Sequence, residues 1–252
     1  MSFKVVIPAR YASTRLPGKP LLEIAGRPML LHVVDRAKES GAGQVVVATD
    51  DERILKAVEG EGVDACITAE SHISGTERIA EVVEKYGWAD DAVVVNLQGD
   101  EPCMPAALIN QVAQDMVQHE DAVVTTLATA IADRGELFDP HAVKVVTDRQ
   151  GYALYFSRAA IPWHRDEFSI EAEHLPDDTP FYRHIGLYAY RAGFLSRYIQ
   201  WSASPLEQAE SLEQLRVIWH GGRIHVSIAG QAPGHGVDTP EDLARVEALF
   251  SH

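Results

Sequence analysis

The sequence predicts an α/β protein with a mostly parallel sheet, helices on both faces, and an antiparallel insertion in the second half. Three observations lead there. β-branched runs alternate with helical stripes as far as Gln118, strand-like runs follow one another from Asp121 to Arg191, and a helix, a strand and a helix close the chain. Strand–helix alternation places successive strands in one layer, joined by right-handed crossovers whose helices cover both faces.

Phe3-Lys4-Val5-Val6-Ile7 has the β-branched content of a buried strand, and Pro8 is expected to end it. From Pro28 to Glu39, Met29, Leu30, Val33, Val34 and Ala37 form a helical stripe, with Pro28 at a first-turn position and Gly41 beyond the end. A strand at Gln44 to Ala48, a helix near Asp51 to Gly60, a strand at Asp64 to Thr68 and a helix at Gly75 to Lys85 continue the alternation. A strand at Ala92 to Leu97 and a helix at Pro105 to Gln118 complete it. The insertion reads as strands at Val123 to Thr129, Val143 to Thr147, Tyr152 to Ser157 and Ile185 to Tyr190. Asp166 to Thr179, acidic and without period, reads as a mobile loop. One helix from Pro205 to His220, a strand at Arg223 to Ile228 and a helix from Pro240 to Phe250 return the chain to the main layer. No repeat or linker divides it, so residues 1–252 read as one domain, with the antiparallel part within 121–200.

The composition is that of an ordinary globular protein, with 46% hydrophobic and 23% charged residues. A formal charge of −15 argues against nucleic acid or an anionic membrane as partner, since both reward a basic surface. A small ligand is the better expectation. No apolar run approaches the roughly 18 residues of a membrane span, and no charged-then-apolar leader opens the chain, so a cytoplasmic enzyme is the simplest reading. Cys66 and Cys103 form no C-x-x-C unit and read as reduced packing residues.

Against that acidic background, Ile7 to Pro20 sets Arg10, Arg15 and Lys19 on a Pro/Gly-punctuated loop directly after the first strand. Open α/β sheets bind ligands at this carboxyl edge. A charge pair 4 Å apart contributes roughly 4 kcal/mol at an effective dielectric of 20, so three converging cations suit a polyphosphate. Neither a P-loop nor a G-x-G-x-x-G helix start is present, because Pro20 follows Gly18-Lys19 where Ser or Thr is needed. Val93 to Leu97 runs into Gln98-Gly99-Asp100-Glu101-Pro102, placing a carboxylate where Mg²⁺ could take one protein ligand; equally, Asp100 could form an Asx-turn before Pro102. Ser74 to Glu77 reads as a capping box, while the helix it opens offers amides and positive dipole to an anion, with Gly75 allowing close approach and Arg78 one turn in. Thr239, Pro240 and Asp242 read as a second helix start that leaves Asp238 as a candidate metal ligand. Ser157-Arg158 and Arg183 to Tyr188 combine polar groups with strands, and Glu210 to Arg216 reads either as a solvated helix face or as part of a site. No Ser/His/Asp order, H-E-x-x-H or Cys/His array supports a hydrolase or zinc site.

Seven segments together resemble the 3-deoxy-manno-octulosonate cytidylyltransferase (CMP-Kdo synthetase) family over nearly the whole chain. They are Pro8 to Pro20, Ser74 to Arg78, Gln98 to Pro102, Tyr155 to Arg158, Arg183 to Gly186, Leu212 to Arg216 and Gly236 to Pro240. The first alone marks sugar nucleotidyltransferases broadly; the set in this order is far more specific. The resemblance implies a Rossmann-like nucleotidyltransferase fold and a homodimer built through the second half. It implies cytoplasmic transfer of CMP from CTP to the anomeric hydroxyl of Kdo for lipopolysaccharide synthesis. By position, Ala9, Arg10, Arg15 and Lys19 would hold the nucleotide's phosphates and Ser74, Gly75 and Arg78 its nucleoside end. Asp100 and Asp238 would bind Mg²⁺. Gln98, Arg158, His184, Tyr188, Glu213 and Gln214 would line the Kdo pocket, with Arg158 suited to its carboxylate. Two departures stand out: Ile73 occupies an expected polar position, and Asp166 to Thr179 aligns poorly. A cytidylyltransferase for a sialic acid or methylerythritol phosphate would share the first loop, and a catalytically silent nucleotide-sugar sensor would share the binding residues.

Overall fold

The structure is a computed structural model that describes residues 2–12, 16–168 and 174–250. Its first strand, β1 (Lys4–Ala9), is followed by a short 3-10 turn (Lys19–Leu21), the two-residue strands β2 (Glu23–Ile24) and β3 (Arg27–Pro28), and helix α1 (Met29–Glu39). The alternation proceeds through β4 (Gln44–Thr49), α2 (Glu52–Ala57), β5 (Asp64–Ile67), α3 (Gly75–Tyr86), β6 (Val93–Asn96) and α4 (Ala106–Gln118). Then come β7 (Val124–Ala130), α5 (Arg134–Phe138), β8 (Lys144–Thr147), β9 (Ala153–Ser157) and β10 (Tyr182–Arg191). The chain ends through α6 (Ala192–Tyr198), α7 (Pro205–Glu210), α8 (Gln214–Trp219), β11 (Ile224–Ile228) and α9 (Pro240–Phe250).

The main sheet has the order β11-β7-β10-β6-β1-β4-β5, with β8 and β9 attached as a hairpin at β10. Pairings β1–β4, β1–β6, β4–β5 and β7–β11 are parallel. Strand β10 runs against both of its neighbours, β6 and β7, and carries a bulge between Ile185 and Tyr188. Along β1 the period-two alternation divides the core. Val5 and Ile7 pack with Leu30, Val34, Ile109 and Val112 under α1 and α4, whereas Val6 packs with Ile79, Val82 and Phe194 under α3 and α6. Helices on both faces thus follow from strands that are apolar on both faces.

Several boundaries differ from the sequence reading, each for a physical reason. Pro8 does not end β1: it pairs with Ala48 of β4, while pairing with β6 stops at Val6. The N–H that Pro8 lacks would point towards the β6 side, where the ladder has already finished, so no bond is lost. The single helix expected from Pro205 to His220 is two helices, because Ser211 sits at φ 52° between them. Helices α5 and α6 and the β2–β3 hairpin were not expected. The acidic segment 166–179 lies partly outside the described residues, and its described flanks contain no helix or strand. At α3, Ser74 Oγ accepts the Glu77 N–H (3.1 Å), but the Glu77 carboxylate turns back to the Ile73 N–H (3.0 Å) instead of completing the box. At α9 the exchange is reciprocal: Thr239 Oγ1 accepts from the Asp242 N–H (3.2 Å) and Asp242 Oδ2 accepts from the Thr239 N–H (3.0 Å).

Cys66 and Cys103 are free thiols. Among the described residues no helix is long and apolar enough to cross a membrane.

Two packed imidazoles give the fold a pH dependence. Burial lowers the pKa of His184 from 6.5 to about 3, with Nε2 3.0 Å from Thr126 Oγ1. Burial, and then the His119 ring stacked at 3.4 Å, lower His225 to about 4. Protonation is disfavoured in the folded state, so the stabilisation is complete above about pH 6.5 and is lost as pH falls towards these lowered values. For His225, only 6% exposed, the loss between about pH 7 and pH 5 is about 2 kcal/mol. His225→Gln is expected to lose fewer degrees of melting temperature over that interval than the unmodified protein; equal losses would exclude the imidazole as a contributor.

Candidate active site

β1 and β6 are adjacent, yet the chain passes from β1 to β4 and β5 on one side before returning to β6 on the other. That reversal opens a crevice at the strands' carboxyl ends. A cavity of about 300 Å³ lies there. The loop after β1 brings Ala9, Arg10 and Lys19 to it, the start of α3 brings Ser74, Gly75 and Arg78, the loop after β6 brings Gln98, Gly99 and Asp100, and the approach to α9 brings Asp238. Two glycines allow the loops to close on Pro8. A Cβ on Gly99 would stand 3.0 Å from the Pro8 carbonyl oxygen, and one on Gly75 would stand 3.4 Å from Pro8 Cγ. Gly18, at φ 67°, turns the chain into the 3-10 segment that presents Lys19.

Lys19 Nζ donates to Asp100 Oδ2 (2.6 Å) and Asp238 Oδ1 (3.0 Å), joining residues 81 and 219 positions away. One ammonium between two carboxylates leaves a net negative charge whose hard oxygens face the cavity, while the exposed Arg10 lines it close by. Glu101, behind this pair, has its pKa pushed up to about 8, by burial first and then by Asp100 and Asp238. Arg78 lines the cavity with its guanidinium held from behind, by Asp50 (2.7 Å) and Thr68. Ser74 Oγ is engaged as the α3 cap. The N-terminus of this twelve-residue helix directs its dipole into the cavity.

A second cavity of about 270 Å³ adjoins the first, and Gly75, Gln98 and Glu213 line both. Its wall contains Tyr188, Tyr190, Tyr198 and Gln214. Glu213 accepts from Thr76 Oγ1 (3.1 Å), and burial raises its pKa. Gln98 Nε2 donates to Asn96 Oδ1 (3.1 Å). Gln214 is buried, and its Nε2 has no partner among the described residues. A donor so placed is satisfied by an oxygen-rich ligand.

Of the residues anticipated from sequence, the structure gathers Ala9, Arg10, Lys19, Ser74, Gly75, Arg78, Asp100 and Asp238 around the first cavity, and Tyr188 and Gln214 around the second, with Gln98 and Glu213 between. Arg15 lies outside the described residues. His184 and Arg158 line neither cavity. His184 packs edge-on against Phe156 (5.0 Å), and Arg158 donates from Nε to the Glu210 carbonyl (2.7 Å) and from Nη1 to the Pro140 carbonyl (3.0 Å). The sequence reading missed Thr76, Asn96, Tyr190 and Tyr198. Asn96 left a trace as the one polar residue ending the Val93–Val95 run, and Tyr190 sits two positions from Tyr188 on the same strand face.

A cytidylyltransferase family model matches residues 4–224, which include all but the α9 side of this crevice. The chain belongs to the cytidylyltransferase family. A solved CMP:2-keto-3-deoxy-manno-octonic acid synthetase complexed with CTP is 43% identical, with 100% of this chain and 99% of that one covered and a TM-score of 0.90. A cytidylyltransferase from Leptospira borgpetersenii serovar Hardjo-bovis (strain JB197) is 15% identical, with a TM-score of 0.62 over 100% of this chain and 87% of that one, and shares the fold. The CMP-Kdo synthetase resemblance and the nucleotidyltransferase fold expected from the sequence are therefore correct, and this cytidylyltransferase is a nucleotidyltransferase enzyme.

Proposed function

We propose that the protein transfers CMP from CTP to the anomeric hydroxyl of Kdo, giving CMP-Kdo and pyrophosphate. The observation that carries this is the 43% identity, extending over the full chain, to a synthetase of that name solved with CTP. Two adjoining cavities suit a two-substrate transfer: the cationic loop of the first receives the triphosphate, and the carboxamides and tyrosines of the second receive the hydroxyl-rich acid sugar. The sugar oxygen attacks the α-phosphorus in line; an O–P bond forms, the bond from that phosphorus to the pyrophosphate oxygen breaks, and the hydroxyl proton is released. Lys19, Arg10 and the α3 dipole offset the negative charge that grows on the phosphates. The fold family implies Mg²⁺, and the donors fit it. Asp100 and Asp238 already share one cation at 2.6 and 3.0 Å, and Mg²⁺ typically takes one or two carboxylates. When bound there, Mg²⁺ would neutralise phosphate charge and polarise the α-phosphate.

Pyrophosphate release measured with each of four nucleoside triphosphates and Mg²⁺, with and without Kdo, tests the reading. Release is expected only with CTP and Kdo together. Turnover with a sialic acid or methylerythritol phosphate but not with Kdo would replace the acceptor, and CTP binding without any release would favour a sensor.

We place the reaction in the cytoplasm, ahead of lipopolysaccharide assembly, and expect a homodimer formed through residues 121–200. Exposed Phe138, Leu154 and Trp163 in that part of the chain support an apolar contact. Light scattering should return twice the 27.7 kDa chain mass; a monomeric mass at assay concentrations would remove this assignment.

A further inference from the structure

Glu210 lies outside both cavities, directly before the segment from Ser211 to Gln214 that lines the second. Its Oε1 accepts from Ser157 Oγ (2.6 Å) and its Oε2 from the Arg158 N–H (2.9 Å), while its own carbonyl accepts from Arg158 Nε (2.7 Å). These three bonds fasten the last residue of α7 to the end of β9. Lys144, wholly buried, grips the same strand end from the other side, donating to the carbonyls of Arg158 (2.7 Å), Asp139 (2.7 Å) and Ala142 (2.5 Å).

The residue after Glu210 is Ser211 at φ 52°, a left-handed conformation that a residue other than glycine keeps only where its surroundings fix it. Ser211 and the next three residues, Leu212, Glu213 and Gln214, all line the second cavity. The elbow between α7 and α8 is therefore held at its start by Glu210 and at Glu213 by Thr76.

We propose that Glu210 is a positioning residue for the acceptor, acting through Glu213 and Gln214, which it holds in register with the rest of the cavity. The inference rests on the reading of the second cavity as the acceptor site. Both carboxylate oxygens receive donors, and Glu210→Gln weakens both bonds: its oxygen can still take the Arg158 N–H, but the Ser157 hydroxyl must turn round to accept from the NH₂, and the charge that strengthens each bond is lost. Ser157→Ala removes one of the three bonds, together with the bond that Ser157 Oγ accepts from the Ala159 N–H (3.0 Å), and leaves the carboxylate in place.

Steady-state kinetics of the wild-type protein, Glu210→Gln and Ser157→Ala, with melting curves and hydrogen exchange, provide the test. Glu210→Gln is expected to raise the KM for Kdo about tenfold, with the KM for CTP within about twofold, and Ser157→Ala to raise the KM for Kdo about threefold. Exchange of amides 211–214 should accelerate about tenfold in Glu210→Gln. An unchanged KM for Kdo, or equal rises for Kdo and CTP, would overturn the proposal, and if Glu210→Gln does not fold, an unchanged KM in Ser157→Ala overturns it. Should the wild type release no pyrophosphate with Kdo, the acceptor reading fails by itself. The clamp is then decided by exchange alone, and unaltered exchange at 211–214 refutes it.

Discussion

Asp100→Ala is expected to reduce kcat about a thousandfold while the melting temperature stays within a few degrees of wild type. Asp100 projects from a loop at the cavity wall with its side chain 36% exposed, so truncation opens no void in the core. What disappears is one of the two carboxylates that flank Lys19, and with it half of the oxygen set suited to a divalent cation. Asp100→Asn keeps the shape and loses the charge, so an intermediate loss, about a hundredfold, distinguishes charge from volume. The measurement is single-turnover formation of CMP-Kdo at saturating CTP and increasing Mg²⁺. Turnover equal to wild type at saturating Mg²⁺ would defeat the ligand assignment.

Lys19→Met should be as damaging for a different reason. Its side chain is 12% exposed, and the ammonium is shared by Asp100 and Asp238. Its removal changes the formal charge of these three side chains from −1 to −2, at the place where a triphosphate must approach. Coulomb energies of roughly 4 kcal/mol for close pairs at intermediate dielectric set the scale, and about a thousandfold loss in kcat/KM for CTP is expected. Methionine retains much of the apolar stem, so packing is nearly preserved. Mg²⁺ added without nucleotide should raise the melting temperature of Lys19→Met more than that of the wild type, because the two carboxylates then lack their shared cation. Equal thermal responses, or a kcat/KM for CTP within threefold of wild type, would show that the bridge has no functional weight.

The parts of this molecule legible in its sequence are those where chemistry changes abruptly along the chain. The apolar run of β1 gives way to the Arg10–Lys19 loop and that of β6 to Gln98–Asp100, so both strand ends were legible to within about two residues, although Pro8 did not end β1. Asp238 was conspicuous because Thr239, Pro240 and Asp242 accounted for the helix start around it. What stayed hidden depends on partners distant in sequence. The break at Ser211 lies inside an uninterrupted amphipathic pattern and is stabilised by Glu210 reaching Ser157 and Arg158, more than 50 positions away. His184 resembles any strand histidine until Phe156 and Thr126 close around it. Arg158 has the fork that suits a carboxylate, but carbonyls of Glu210 and Pro140 occupy two of its nitrogens, a competition no local pattern reveals. Tyr198 sits on α6, a helix of 7 residues whose position is decided by packing against α3 and β10 more than by its own periodicity.

Strand β10 also imposes an order on the birth of the protein. It separates β6 from β7, so the β7–β11 edge cannot join β6 before residues 182–191 have been made. During synthesis β1, β4, β5 and β6 can align as soon as residue 96 clears the ribosome, whereas β7 waits more than fifty residues for the neighbour that links it to them. Asp100 is translated well over a hundred residues before Asp238. A nascent chain therefore completes the first wall of this crevice long before the second, and its two carboxylates meet only once residue 238 has been made.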